Sequence, residues 1–115
     1  MHELSIAVSI VDLAQEESEK RGGVRVLAVH LQLGPLAGVV KEALEGSYEL
    51  AAEGTLLAGS RLVIREVPVV VFCPKCNQNR TLPSIQQFYC PECLMPTPEV
   101  IQGRDLQVTA LELES

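Results

Sequence analysis

Along residues 4–20, LSIAVSIVDLAQEESEK, apolar residues recur at three- and four-residue spacing. Ile6, Ile10, Leu13 and Ala14 form the stripe, and Leu4, Val8 and Val11 widen it. That period predicts an amphipathic helix from Leu4 to Lys20, stopped by Gly22-Gly23. The charged run Glu16, Glu17, Glu19, Lys20 and Arg21 reads as its solvated last turn. The period then drops to two. VRVLAVHLQL, Val24 to Leu33, alternates through Val24, Val26 and Ala28, then slips to Val29, Leu31 and Leu33. A strand with a bulge explains the slip, and Gly34-Pro35 ends it. A second helix is predicted over Val39 to Glu53, with Val40, Leu44, Tyr48 and Ala51 on its inner face and Val39, Ala43 and Leu50 beside them. Gly46 weakens that helix by roughly 1 kcal/mol against alanine. Arg61 to Val67 reads as a second strand. Asp105 to Leu113 reads as a last one, with Leu106 and Val108 in one phase and Leu111 and Leu113 in the other.

Between these strands the pattern is lost. Residues 69–104 hold Pro74, Pro83, Pro91, Pro96 and Pro98, and all four cysteines. The expected architecture is therefore α+β: a small sheet with two helices, formed by residues 1–68 plus 105–115, interrupted by a zinc-ribbon-like unit over residues 69–104 just before the last strand. The flanking strands are expected to share one sheet.

Composition narrows the function. Apolar residues make up 47% of the 115 and aromatics only 3%, so the core must be aliphatic. A formal net charge of −6, from nine Lys+Arg against fifteen Asp+Glu, disfavours a phosphate-binding surface. It suits cations or a basic protein surface as partners. The sequence has neither an apolar run long enough for a membrane span nor a signal-peptide pattern, so the expected compartment is a bacterial or archaeal type of cytoplasm.

The cysteines carry the clearest chemistry. CPKC at Cys73 and Cys76 and CPEC at Cys90 and Cys93 give the spacing C-x2-C-x13-C-x2-C. Each tight turn aims two sulfurs at one ion, and two such turns complete a tetrahedron. Zn(II) accepts this set readily; iron in an S4 site fits the same geometry. A redox dithiol needs only one pair. With four thiolates no position stays open for a substrate, so the site reads as structural and a zinc enzyme is disfavoured, there being no accompanying catalytic constellation. A zinc-ribbon nucleic-acid module is the alternative class, but only Lys75 and Arg80 lie as basic residues between the cysteine pairs.

The other candidate is the start of the chain, Met1-His2-Glu3. The Met1 amine, the His2 backbone nitrogen and the His2 imidazole are chain neighbours that close small chelate rings. Such donors favour a planar ion such as Ni(II) or Cu(II). Glu3, by side chain or backbone, is the candidate fourth donor. The plainer reading is that His2 has no duty and that Glu3 complements the positive end of the first helix. His30, mid-strand, reads as a surface or satisfied polar residue rather than a ligand.

Taken in order, MHELSIA, VRVLAVHLQLGPLAGV, AAEGTLLAGSRLVI, FCPKC…YCPEC and DLQVTALEL resemble the HypA/HybF family over essentially the whole chain. These are nickel metallochaperones of [NiFe]-hydrogenase maturation. The resemblance implies Ni(II), as cargo, at Met1, His2 and Glu3, and structural Zn(II) at Cys73, Cys76, Cys90 and Cys93. It also implies hand-over to a hydrogenase large-subunit precursor, together with the GTPase HypB. Some relatives carry histidines beside the zinc cysteines. This chain has only His2 and His30, so functions that need zinc-flanking histidines are not expected.

Overall fold

A computed structural model describes residues 2–115 of the chain. The element order is α1 (Glu3–Glu19), β1 (Val26–Leu33), a short 3-10 turn (Pro35–Ala37), α2 (Lys41–Ala52), β2 (Arg61–Glu66), β3 (Val70–Cys73), β4 (Gln78–Thr81), β5 (Glu99–Gln102) and β6 (Leu106–Leu113). Two three-stranded sheets result, in the orders β2-β1-β6 and β4-β3-β5. The chain packs as two compact units: residues 1–31, 39–65 and 107–115, and residues 32–38 and 66–106.

In the first unit α1 and α2 pack on each other. The buried face of α1 is Ala7, Ile10, Val11, Ala14 and Ser18. This corrects the sequence pattern: Leu13 is half exposed, as are Leu4 and Val8, while two alanines take the core positions. Small side chains at a helix contact let the backbones approach, so packing selects Ala7 and Ala14 over the larger flanking residues. In α2, Leu44, Tyr48 and Ala52 are buried, and the Tyr48 hydroxyl is satisfied by the Ser60 hydroxyl at 2.6 Å. Val40 does not belong to that face. It is the N-cap of α2 and lies exposed.

The burial of β1 repeats the slip read in its sequence. Val26 and Ala28 are buried in one phase, and Val29, Leu31 and Leu33 in the other. The strands on either side of the cysteine segment do share a sheet, but each lies beside β1 rather than beside the other. β1 and β6 run antiparallel: the Glu114 N–H donates to the Arg25 carbonyl at one end, and the Gly34 N–H to the Asp105 carbonyl at the other. Three strands meet in one charged contact. Glu112 of β6 lies 2.5 Å from His30 Nε2 on β1 and 3.5 Å from Arg61 on β2. His30 thus has a carboxylate partner, and the His30 hydrogen bond holds the Glu112 carboxyl below its ordinary range.

In the second unit β3 pairs antiparallel with β4, Val70 opposite Thr81 through Cys73 opposite Gln78, and with β5 on its other side. Val69, Val71 and Leu82 form its core, with Leu36, Phe88 and Val100 packed against them. Leu36 comes from residues 32–38, a segment far from the cysteines in sequence. It is tied down by its N–H bond to the Gly103 carbonyl at 2.8 Å. Here two backbones nearly touch. A Cβ on Gly34 would stand 2.3 Å from the Gly103 carbonyl, and one on Gly103, at φ +111°, 2.8 Å from Val69 Cα.

Gly34→Ala is expected to lower stability by about 1–3 kcal/mol, the usual range for forced overpacking. Gly46→Ala, where a Cβ meets nothing within 4 Å of its helical position, is expected to raise it by roughly 0.5–1 kcal/mol. Urea denaturation of the two variants checks both signs.

Candidate metal centres

The β3–β4 hairpin positions the first cysteine pair. Cys73 is the last residue of β3, and the Asn77 N–H closes back on its carbonyl at 2.8 Å, with Asn77 at φ +56°. The Cys76 N–H points at Cys73 Sγ, 3.3 Å away. The second pair repeats the device. The Leu94 N–H closes on the Cys90 carbonyl at 2.8 Å, with Leu94 at φ +64°, and the Cys90 N–H bonds the Met95 carbonyl at 2.8 Å. Proline after the first cysteine of each pair suits this turn, because its fixed φ matches the first corner and no N–H is needed there.

The two turns bring the four sulfurs together. Cys73 Sγ lies 3.4 Å from Cys93 Sγ, Cys76 Sγ lies 3.9 Å from Cys90 Sγ, and all four fall within 4.8 Å of one another. A tetrahedral ion with ~2.3 Å bonds to sulfur sets sulfur–sulfur edges of about 3.8 Å. The cluster has the dimensions of one such ion's shell. All four cysteines are free thiols; Cys73 and Cys90 are buried, Cys76 and Cys93 partly so. Among the described residues this is the group of three or more metal-ligating side chains that can hold an ion.

The electrostatics agree. Burial pushes the Cys90 thiol up, but N–H groups of Cys93 and Glu92 and the neighbouring thiols outweigh it and bring it down to about 6. Cys93 accepts the Met95 N–H, yet burial and the other three sulfurs push it up to about 12. The opposed shifts of Cys90 and Cys93 reflect the cost of placing a second thiolate beside a first. A divalent ion removes that conflict.

At the other end of the chain, Met1 lies outside the described residues. His2 is exposed and is the N-cap of α1. Its carbonyl accepts the Ile6 N–H at 3.3 Å, and its ring makes no capping bond. Glu3 is committed elsewhere. Its Oε2 accepts the Val40 N–H at 3.2 Å, so the first turn of α1 caps the start of α2. That interaction has no sequence signature, since 37 residues separate its partners. Val40 offers α2 no side-chain cap of its own, and the Glu3 carboxylate meets the positive end of the helix instead.

A family model described as hydrogenase/urease nickel incorporation metallochaperone HypA matches residues 1–113. This chain belongs to the HypA family. It is 53% identical over 112 residues to the hydrogenase maturation factor HypA of Chloroflexus aurantiacus, covering 97% of this chain and 98% of that one. It is 45% identical to the HypA of a Roseiflexus species, covering 99% and 93%. Its fold matches the solution structure of the nickel metallochaperone HypA from Helicobacter pylori, with a TM-score of 0.69 at 22% identity over 98% of this chain and 97% of that one. A second HypA solution structure matches with a TM-score of 0.71 at 23% identity, over 99% and 97%. HypA proteins are metallochaperones that serve maturation, not catalysts. No helix among the described residues is long and apolar enough to cross a membrane.

The Val40 N–H bond holds the Glu3 carboxyl below its ordinary range. A lowered carboxyl contributes stability above its unfolded pKa, and that contribution is lost as pH falls through the folded value. The Val40 amide resonance is therefore expected to titrate with a midpoint below the usual glutamate range. Glu3→Gln, which keeps an accepting oxygen, is expected to abolish the titration; an NMR pH series on both proteins checks this.

Proposed function

We propose that this protein is a nickel carrier that holds Ni(II) at the chain start and surrenders it to a hydrogenase large-subunit precursor, acting with the GTPase HypB. The donors are the Met1 amine, the His2 backbone nitrogen, the His2 imidazole and Glu3. The observation that carries this reading is the state of His2: exposed, at the N-cap, with its ring free of capping duty. Because the Glu3 carboxylate already serves Val40, Glu3 contributes most economically through its backbone. The donors are deprotonated when bound, so acidification releases the ion. An exposed terminal clamp can be stripped by a client. Affinity alone ranks Cu(II) above Ni(II), so selectivity rests on metal supply and partner contacts.

Cys73, Cys76, Cys90 and Cys93 hold structural Zn(II) in this reading. The sulfur cluster fits a closed S4 shell, and the small core of Val69, Val71 and Leu82 leaves the second unit dependent on it. Its role is to keep that unit folded, with no coordination position left for nickel exchange.

His2→Ala is expected to abolish specific Ni(II) binding in isothermal titration while zinc content and circular dichroism stay unchanged. Residues added ahead of Met1 are expected to weaken nickel binding as well. Unchanged nickel affinity in the His2→Ala protein removes His2 from the site. Cys73→Ala is expected to act on the other unit, with loss of zinc and of hydrogen-exchange protection over residues 66–106. Normal zinc content and protection in that variant overturn the structural assignment.

A further inference from the structure

We propose that the groove between α2 and the open edge of β2 receives an extended, basic segment of a partner protein, which adds to the first sheet as a fourth strand. None of the residues lining this groove is a candidate metal ligand. β2 has β1 on one side and no strand on the other. An outer strand keeps a row of unpaired backbone N–H and C=O groups, and proteins commonly blunt such an edge with charge or proline. The middle of β2, Leu62, Val63 and Ile64, has neither.

Beside this edge the surface is hollow. A cavity of about 610 Å³ lies between Glu45, Tyr48 and Glu49 of α2 and residues 60–63. A second, of about 360 Å³, continues it toward Glu53 and Gly59 and shares Tyr48, Glu49 and Ser60 with the first. Successive side chains of a strand point to opposite faces, so consecutive residues line one cavity together only at the strand's edge. The bond between the Tyr48 and Ser60 hydroxyls, 2.6 Å, ties the helix to the start of the strand and keeps the groove formed. Just beyond β2, the Val67 N–H donates to the carbonyl of Leu33 on β1. Bonding direction alternates along a strand, so the Leu62 and Ile64 amides turn to the open side.

Charge names the occupant. Glu45, Glu49 and Glu53 stand one turn apart, all exposed, and among the described residues none of them joins an ion pair. Arg61, the cation of the lining, is paired with Glu112. The spacings match: four helical residues advance about 6 Å, and two residues of an added strand about 6.8 Å. Basic side chains at alternate positions of the incoming strand therefore meet successive carboxylates, while its backbone takes up the open groups of Leu62 and Ile64. A second copy of this chain fits poorly. Antiparallel pairing of β2 with β2 about a two-fold axis puts both α2 helices on one face, glutamate row against glutamate row.

The test titrates the full chain, isotope-labelled for NMR, with a short synthetic peptide in which lysine alternates with valine. A peptide with glutamate in place of lysine is the control. The lysine peptide alone is expected to bind, more weakly as salt rises, and to slow hydrogen exchange at the Leu62 and Ile64 amides. Glu45→Lys combined with Glu49→Lys is expected to weaken that binding roughly tenfold. Leu62→Pro removes an N–H that an edge strand leaves unused, and is expected to weaken it as well. The glutamate variant, changed only at exposed positions, decides the matter alone should Leu62→Pro fail to fold. No binding, equal binding of the two peptides, or unchanged exchange at Leu62 and Ile64 overturns the groove as a docking site. A free protein that sediments as a dimer with those two amides already protected assigns the edge to a second copy and overturns the basic partner.

Discussion

Four cysteine sulfurs converge within 4.8 Å of one another, the dimensions of a single ion's coordination shell. That convergence organises the second unit. Its main hydrophobic cluster is small, Val69, Val71 and Leu82 with three partly buried residues packed against them, little apolar area to order residues 66–106. In the proposed reading the two C-x2-C turns do what a larger core does elsewhere, tying the β3–β4 hairpin to the turn at Cys90–Cys93 through one ion. The turn geometry is kept even where the residue is a poor fit. Asn77 suits a left-handed corner, but Leu94 does not, and it holds that conformation while 73% exposed.

The first unit is built on ordinary helix packing, and its interest lies in how the chain start is held. His2 begins α1 and Glu3 reaches across to the backbone of Val40, so the beginnings of both helices are fastened together. A binding site made from the first residues of a chain normally suffers from fraying. Here the residue after His2 is anchored by a hydrogen bond outside its own helix. His2 is thus presented from a defined point, while its ring stays in water. In the proposed reading, a cargo site at the chain start and a permanent site in a closed sulfur shell separate exchange from retention by coordination chemistry.

Much of this was legible in the residues. The period of apolar positions located both helices and the strands of the first sheet to within one or two residues, and the phase slip at Ala28–Val29 reappears in the burial of β1. The spacing of Cys73, Cys76, Cys90 and Cys93 foretold their convergence, because a tight turn needs only local sequence. What was not legible depends on distant partners. Leu13 has the apolar character of a core residue, yet it is half exposed while Ala7 and Ala14 are fully buried. Residues 32–38 carry no mark of packing with the cysteine-bearing unit; the tie is a backbone approach between Gly34 and Gly103. Arg80 is one of two basic residues between the cysteine pairs, and only the hairpin register sets it opposite Val71.

In the proposed reading two metals occupy two chemically different places on one chain. X-ray absorption at both the nickel and the zinc edges, on protein beginning with an unblocked Met1 and loaded with one equivalent of each metal, tests this most directly. The expected result is a nickel shell of nitrogen and oxygen donors including one imidazole, beside a zinc shell of four sulfurs. Nickel surrounded by sulfur, or nickel without an imidazole, contradicts it.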